Sequence, residues 1–249
     1  MQPTPARTNR NADPLTHADW MAAARTEYTR LDTLLAGLAE DEWLLPTDCA
    51  GWAVRDVVAH LIGAAESMAR LREGLRQVWC GRKMPAKTLV DRMNAVQVSE
   101  RAHLPVARLR ADLAEAGARG VRARTRLPGP LRRVPLPFGP PLGTRPLGYL
   151  TDRIYTRDAW MHRIDLARAT GRPVRLSLEH DGRLVGDIVV EWAAKHGQPY
   201  RLTLTGSAGG SWQRGIGDAA LELDAVEFAR TMAGRRPPDR GLLRHGVPF

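Results

Sequence analysis

The sequence predicts a mainly α protein with an α+β tail: a four-helix bundle over residues 1–172, then a small α+β domain over 173–249. Three observations carry this. Four long stretches in the first two thirds repeat apolar residues at three- and four-residue steps. After Pro173 the pattern changes to short alternating runs interleaved with two helical ones. The chain has 249 residues and an apolar fraction of 43%, enough for a core in each part.

The first helix is expected from Thr16, a good N-cap, to about Leu38, with Trp20, Ala24, Tyr28, Leu31 and Leu35 on its buried stripe. The second follows "TDCAGW" and carries Val54, Val57, Val58, Leu61, Ala65 and Met68 on to about Trp79. The third spans about 86–118, broken or kinked at Pro105, which cannot donate to the helix ladder. Residues 127–146 hold seven of the 18 prolines and read as a long loop, either covering a site or merely linking. The fourth helix runs from about Leu147 to Thr170 and stops at "GRP". Four such helices suit an antiparallel bundle. Beyond them, "VRLSLE" reads as a strand, "DGRLVGDIVVEWAAKHG" as a helix ended by Gly197, and "YRLTLTG" as a strand. "GGSWQRG" is a strand or a turn, "ALELD" a strand, and Asp224 caps "AVEFARTMAGR".

Composition narrows the function. No apolar run is long enough to cross a bilayer, and the polar, Pro-rich start "MQPTPARTNRNADP" lacks a secretory stretch, so a cytoplasmic protein is expected. Two cysteines, Cys49 and Cys80, fit free structural or incidental thiols in a reducing compartment. The net charge of +10 invites a nucleic-acid reading, but only Lys83, Lys87 and Lys195 of the 37 basic residues are lysines. The arginines are spread along the chain, with Arg119, Arg122, Arg124, Arg126, Arg132 and Arg133 the nearest thing to a cluster. Aromatics are few, so nucleic-acid binding is the minor reading and an affinity for small anions the major one.

The polar interruptions of the buried stripes carry the chemistry. On the fourth helix Asp158 follows Ile154 by four and precedes His162 by four, so both leave one face a turn apart. On the second helix His60 sits between Val57, Leu61 and Ala64 on the inward side. Buried carboxylates are costly unless paired or bound to a cation. Two histidines and one carboxylate from facing helices make a divalent-metal site with coordination positions open, the pattern of a catalytic rather than a structural metal. The spacing equally allows a core histidine and a simple Asp–His pair. Around these, Asp56 either orients His60 or serves as a first-turn acid. Asp165 either orients His162 or pairs with Arg163 or Arg168. Asn94 and Gln97 on the third helix either face the site or fill ordinary polar positions. The remaining histidines, 17, 103, 180, 196 and 245, read as surface or cap residues.

The stretches "TDCAGWAVRDVVAHLIG" and "TRDAWMHRIDLARATGRP" resemble the two motifs of the mycothiol-dependent maleylpyruvate isomerase family, one of the DinB-like metal-binding bundles. The tail "LTLTGSAGGSWQRG…LELDAVEFARTMAGR…GLLRHGVPF" is similar to the C-terminal module of many members. The resemblance implies a DinB-like four-helix bundle whose metal, usually zinc, is held by His60, Asp158 and His162, with Asp158 standing where the family isomerase has glutamate. It also implies mycothiol as cosubstrate: a metal-bound thiol loses its proton, attacks a small electrophile, and either leaves again after isomerisation or stays as a thioether. The electrophile is expected to be small, anionic or neutral, and Arg214 and Arg230 of the C-terminal module read either as clamps for a substrate carboxylate or, more simply, as solvated arginines. The C-terminal module is expected to close one side of the pocket, with Trp192 and Trp212 as core or wall. A monomer or homodimer is expected. The rival readings are a non-catalytic metal- or small-molecule-binding protein of the same fold and an Arg-rich nucleic-acid binder.

Overall fold

Helix α1 (His17–Ala36) begins where Thr16 caps it, its hydroxyl accepting from the Asp19 amide while the Asp19 carboxylate accepts from the Thr16 amide. This reciprocal box satisfies two of the donors that a helix start leaves open. The computed structural model describes residues 14–140, 142–216, 219–237 and 241–249. Residues 1–13, on which the expectation of no secretory stretch rests, lie outside these, as does Pro141 of the proline-rich segment. The chain divides into one unit of Thr16–Val174 and another that contains Arg175–Phe249.

In the first unit, α1, α2 (Val54–Ala69), α5 (Val106–Thr125) and α7 (Tyr155–Ala169) form the bundle, with α1 and α2 each packed against both α5 and α7. Its core is Leu31 and Leu35 of α1, Val54, Val57, Val58, Leu61 and Ile62 of α2, Leu109, Leu113 and Ala116 of α5, and Ala159 and Leu166 of α7. Each large aliphatic side chain so buried contributes about 1.5–3 kcal/mol. Two further helices, α3 (Leu71–Gly81) and α4 (Leu89–Ser99), pack on each other and on α2.

Two expected helices are each two helices. The second stops at Arg70, whose backbone is extended (φ −144°, ψ 114°), and α3 then starts in a new direction. The apolar periodicity runs across this break, but on α3 it is not buried: Leu71, Leu75 and Trp79 are exposed by 79%, 61% and 65%. The third expected helix ends at Ser99, and Pro105 is the N-cap of α5, which extends to Thr125. The proline-rich segment is not bare loop. It holds a one-turn helix α6 (Gly129–Arg132) and a hairpin of β1 (Pro135–Pro137) with β2 (Thr144–Pro146).

Ahead of α7, Tyr149–Ile154 winds as a wide π-helical turn. The buried Arg124 of α5 donates to the carbonyls of Thr151 and Asp152 and, at 2.6 Å, to the Thr156 hydroxyl. It thereby ties α5 to the start of α7.

In the second unit, α8 (Arg183–His196) ends at Gly197, which adopts the left-handed conformation. Strands β3 (Tyr200–Thr205), β4 (Gly210–Arg214) and β5 (Ala220–Asp224) form a sheet in the order β4-β3-β5. β3 is antiparallel to β4, with Leu202 opposite Trp212, and parallel to β5, with Leu204 opposite Leu223. Tyr200, Leu202 and Leu204 are buried, so the alternation that predicts β3 is the alternation of its faces. Asp224 caps α9 (Ala225–Met232) through the amides of Val226 and Glu227. "VRLSLE" is not a strand. The Ser177 amide donates instead to Asp181 (2.8 Å), and Ser177 caps a π-helical turn at Leu178–Gly182, so a local side-chain bond takes the place of a ladder. Trp192 is fully buried, and its indole donates to the Leu242 carbonyl.

Candidate metal centre

Three side chains from the bundle converge. His60 Nε2 lies 3.2 Å from Asp158 Oδ2, and His162 Nε2 lies 3.3 Å from Asp158 Oδ1. The two imidazoles meet edge to face with ring centres 5.0 Å apart. One ligand atom from each of the three lies within 4.8 Å of the others. The convergence follows from helix geometry: α2 and α7 pack face to face, His60 sits on the inner stripe of α2, and Asp158 and His162 lie one turn apart on α7. The imidazoles are buried, while the Asp158 side chain keeps 20% of its surface open.

Each imidazole is held from its far nitrogen. His162 Nδ1 lies 3.1 Å from Asp165 Oδ2, and His60 Nδ1 lies 2.8 Å from Gln97 Oε1. Asp165 therefore takes the orienting option, while Arg168 donates to Asp48 (2.9 Å) and Arg163 to Glu27 (2.6 Å). Asp56 takes the other option, accepting from the Ala53 amide at the start of α2. Gln97 reaches the site through His60 Nδ1.

Burial alone would push the Asp158 carboxyl upward; the imidazoles of His60 and His162 outweigh it and hold the group well below the usual carboxylate range. Burial likewise opposes charge on His162, but the Asp158 charge and its bonds to Asp158, Asp165 and Cys49 win and hold its proton well above the ordinary imidazole range. The site thus sets a carboxylate between two imidazoles, with the His162 proton held tightly, an arrangement in which a divalent cation can take the proton's place.

The turn before α2 supplies two residues whose place sequence spacing does not reveal. Thr47 and Trp52 close it through the Thr47 amide and hydroxyl on the Trp52 carbonyl, and Gly51 sits at φ +80°, which glycine adopts without strain. Trp52 lies against both imidazoles, at 5.2 Å from His60 and 6.2 Å from His162. The Cys49 thiol, which the sequence reads as incidental, donates to Asp165 Oδ2 (3.3 Å) and lies 3.7 Å from His162 Nδ1. The only available signal was the motif itself: Cys49 and Trp52 flank its glycine, 113 residues before His162 in the case of Cys49.

Arg214 and Arg230 belong to the second unit. Arg214 donates to the Ala193 carbonyl (3.0 Å), and Arg230 is paired with Glu227 at 2.8 Å. Of the other histidines, His17 meets Asp152 (3.0 Å) at the start of α1. His196 is no simple surface residue: its ring lies tilted against Trp192 with centres 4.3 Å apart, and burial lowers its proton affinity. No helix among the described residues is long and apolar enough to cross a membrane.

A family model, the mycothiol maleylpyruvate isomerase N-terminal domain, matches residues 24–167. Uncharacterized proteins from two strains of Mycobacterium tuberculosis are each 28% identical over 237 residues, spanning 90% of this chain and 87% of theirs. Crystal structures of the mycothiol-dependent maleylpyruvate isomerase and of a mutant of it share the fold with TM-scores of 0.60 and 0.59, at 16% and 14% identity, covering 89% of this chain and 90% of theirs.

Proposed function

The chain belongs to the mycothiol maleylpyruvate isomerase family, and from that premise we propose that it is a divalent-metal-dependent enzyme that adds a low-molecular-weight thiol, mycothiol, to a small electrophile. The product leaves either as an isomer, once the thiol is expelled, or as a thioether. One observation carries the reading: both oxygens of Asp158 face an imidazole Nε2, from two different helices. The donor set fits zinc, with two nitrogens, one carboxylate and a coordination position left for the thiol. A cation held there supplies the Lewis acidity that makes a thiol a thiolate at neutral pH.

The chain's own residues do the rest. Asp165 and Gln97 hold the imidazoles in place. The Trp52 indole covers both rings and keeps water from that side. The part-open Asp158 edge is where a thiol enters. Asp158 is one methylene shorter than the family's glutamate, so we propose the reaction as thiol addition rather than maleylpyruvate isomerisation itself.

The test begins with elemental analysis of protein expressed with zinc. About one zinc per chain is expected in the parent and none in His60→Ala. The zinc-loaded chain is then given mycothiol and a panel of cis-unsaturated acids and other electrophiles, with thiol consumption and cis–trans conversion followed by NMR. A parent chain without zinc, or a zinc content unchanged by His60→Ala, removes the basis of the proposal. Zinc without turnover of any electrophile favours a metal-binding protein that does no chemistry.

A further inference from the structure

We infer that Gln97 is the positioning residue that commits His60 to the metal through Nε2, with Gln77 locking the Gln97 amide and Gly63 admitting it. The inference rests on the metal reading above. It concerns three residues outside the ligand set, on α2, α3 and α4.

The oxygen and nitrogen of an amide have nearly the same outline, so its direction must be fixed by a partner of known chemistry. Here that partner is a peptide carbonyl. Gln77 Nε2 lies 2.9 Å from the Gly63 carbonyl oxygen and 3.0 Å from Glu73 Oε1, two acceptors that call for the NH2 end. Gln77 Oε1 then faces Gln97, whose Nε2 donates to it at 2.8 Å. That leaves Gln97 Oε1 toward His60 Nδ1, 2.8 Å away, and an oxygen there requires the proton on Nδ1. Gln77, Gln97 and His60 are all buried, so no solvent compensates a reversed amide, which would set two donors or two acceptors face to face.

With Nδ1 occupied by its own proton, Nε2 is the nitrogen that faces Asp158 Oδ2 across 3.2 Å, and so the one a cation shared with Asp158 would take. Gly63 lies three residues after His60, on the same side of α2. A methyl group on it would stand 2.4 Å from Gln97 Cγ and 2.7 Å from Cβ, so only glycine lets Gln97 pass to the imidazole. His162 is held differently, by the Asp165 carboxylate. One ligand is thus oriented by a charge and the other by a neutral amide ladder that starts at a backbone carbonyl.

The test compares the parent chain with Gln97→Leu and Gln97→Glu, reading zinc affinity by chelator competition and folding by circular dichroism. Leucine keeps the volume and loses the acceptor; glutamate keeps an acceptor and brings charge into the interior. An orienting role predicts a 10- to 100-fold loss of affinity in Gln97→Leu and a smaller loss in Gln97→Glu. A packing role predicts the reverse order. In the zinc-loaded, 15N-histidine-labelled parent, long-range 1H–15N spectra are expected to show zinc on His60 Nε2 and a slowly exchanging proton on Nδ1. Zinc on His60 Nδ1, or an affinity in Gln97→Leu within about twofold of the parent, overturns the inference. The parent spectrum decides this even should a variant not fold. A parent that takes up no zinc fails the metal reading itself, a different result from a zinc-loaded parent indifferent to Gln97.

Discussion

Asp158 has an imidazole on each side, with Nε2 atoms 3.2 and 3.3 Å from its two oxygens. Without metal, His162 keeps its proton well above the ordinary value of 6.5, held there by the Asp158 charge. A divalent cation must displace that proton before it binds. The sign follows: as pH rises through and beyond 6.5 the proton leaves more easily, so apparent zinc affinity climbs with pH and is weakest below 6.5. Competition titrations across pH 6–9, or proton release measured in buffers of different ionisation enthalpy, check this; an affinity flat across the range contradicts it. The two aspartates near the histidines separate by role. Asp165→Ala removes the acceptor on His162 Nδ1 and should cost about 10- to 100-fold in zinc affinity. Asp56→Ala removes a helix-start bond, should cost about 1 kcal/mol of stability, and should leave zinc affinity unchanged. Chelator competition and urea unfolding on both variants distinguish the effects. The inward placement of His60, Asp158 and His162 was legible because each interrupts an apolar stripe at helical spacing; that spacing equally allowed a core histidine and an Asp–His pair, and the family resemblance is what grouped the three. Cys49, Trp52 and Gln77 were not legible, because their place depends on how a turn and two outer helices fold back, and no local period encodes that.

At the scale of elements, α1 and α7 are tied by a buried pair. Arg163 Nε donates to Glu27 Oε2 at 2.6 Å, with Glu27 fully buried and Arg163 nearly so. Breaking one side of such a pair strands the other charge. Glu27→Ala should therefore destabilise the bundle by about 3–5 kcal/mol, while replacing both with apolar residues of similar volume should recover most of it. The midpoint of urea unfolding reads both, and a double variant no better than the single contradicts the argument. Helix cores were legible from period and caps: Thr16, Gly197 and Asp224 stand at the boundaries the sequence assigns them. The breaks were harder. Pro105 announced one, but Arg70 carries no breaker chemistry, and the apolar period on α3 continues without being buried. The alternation in "VRLSLE" is real, yet Ser177 bonds locally to Asp181 and starts a helical turn, which no two-residue period encodes.

For the whole molecule, part of the +10 charge in residues 119–133 is spent inside the fold or on carboxylates. Arg124 is internal, its guanidinium spent on the turn before α7, and Arg119 is paired with Glu115 and lies 4.0 Å from Glu66. What joins the bundle's helices at the site is a set of candidate ligands from α2 and α7, bonded on their far side by α4 and by α7 itself. A cation there binds the folded chain and finds no preformed partner in the unfolded one, so it must stabilise the fold by mass action. At free zinc 100-fold above its dissociation constant the gain is about 2.7 kcal/mol. In a domain of this size each kcal/mol moves the melting temperature by about 2–4 °C, so zinc should raise it by about 5–10 °C. A chelator should reverse the rise, and His60→Ala, which loses one of three ligands, should abolish it. Differential scanning calorimetry with zinc, with chelator and with the variant makes the comparison. A rise of equal size in His60→Ala would place the zinc on surface groups, and no rise in the parent would leave the bracketed carboxylate as an ion pair whose work is structural.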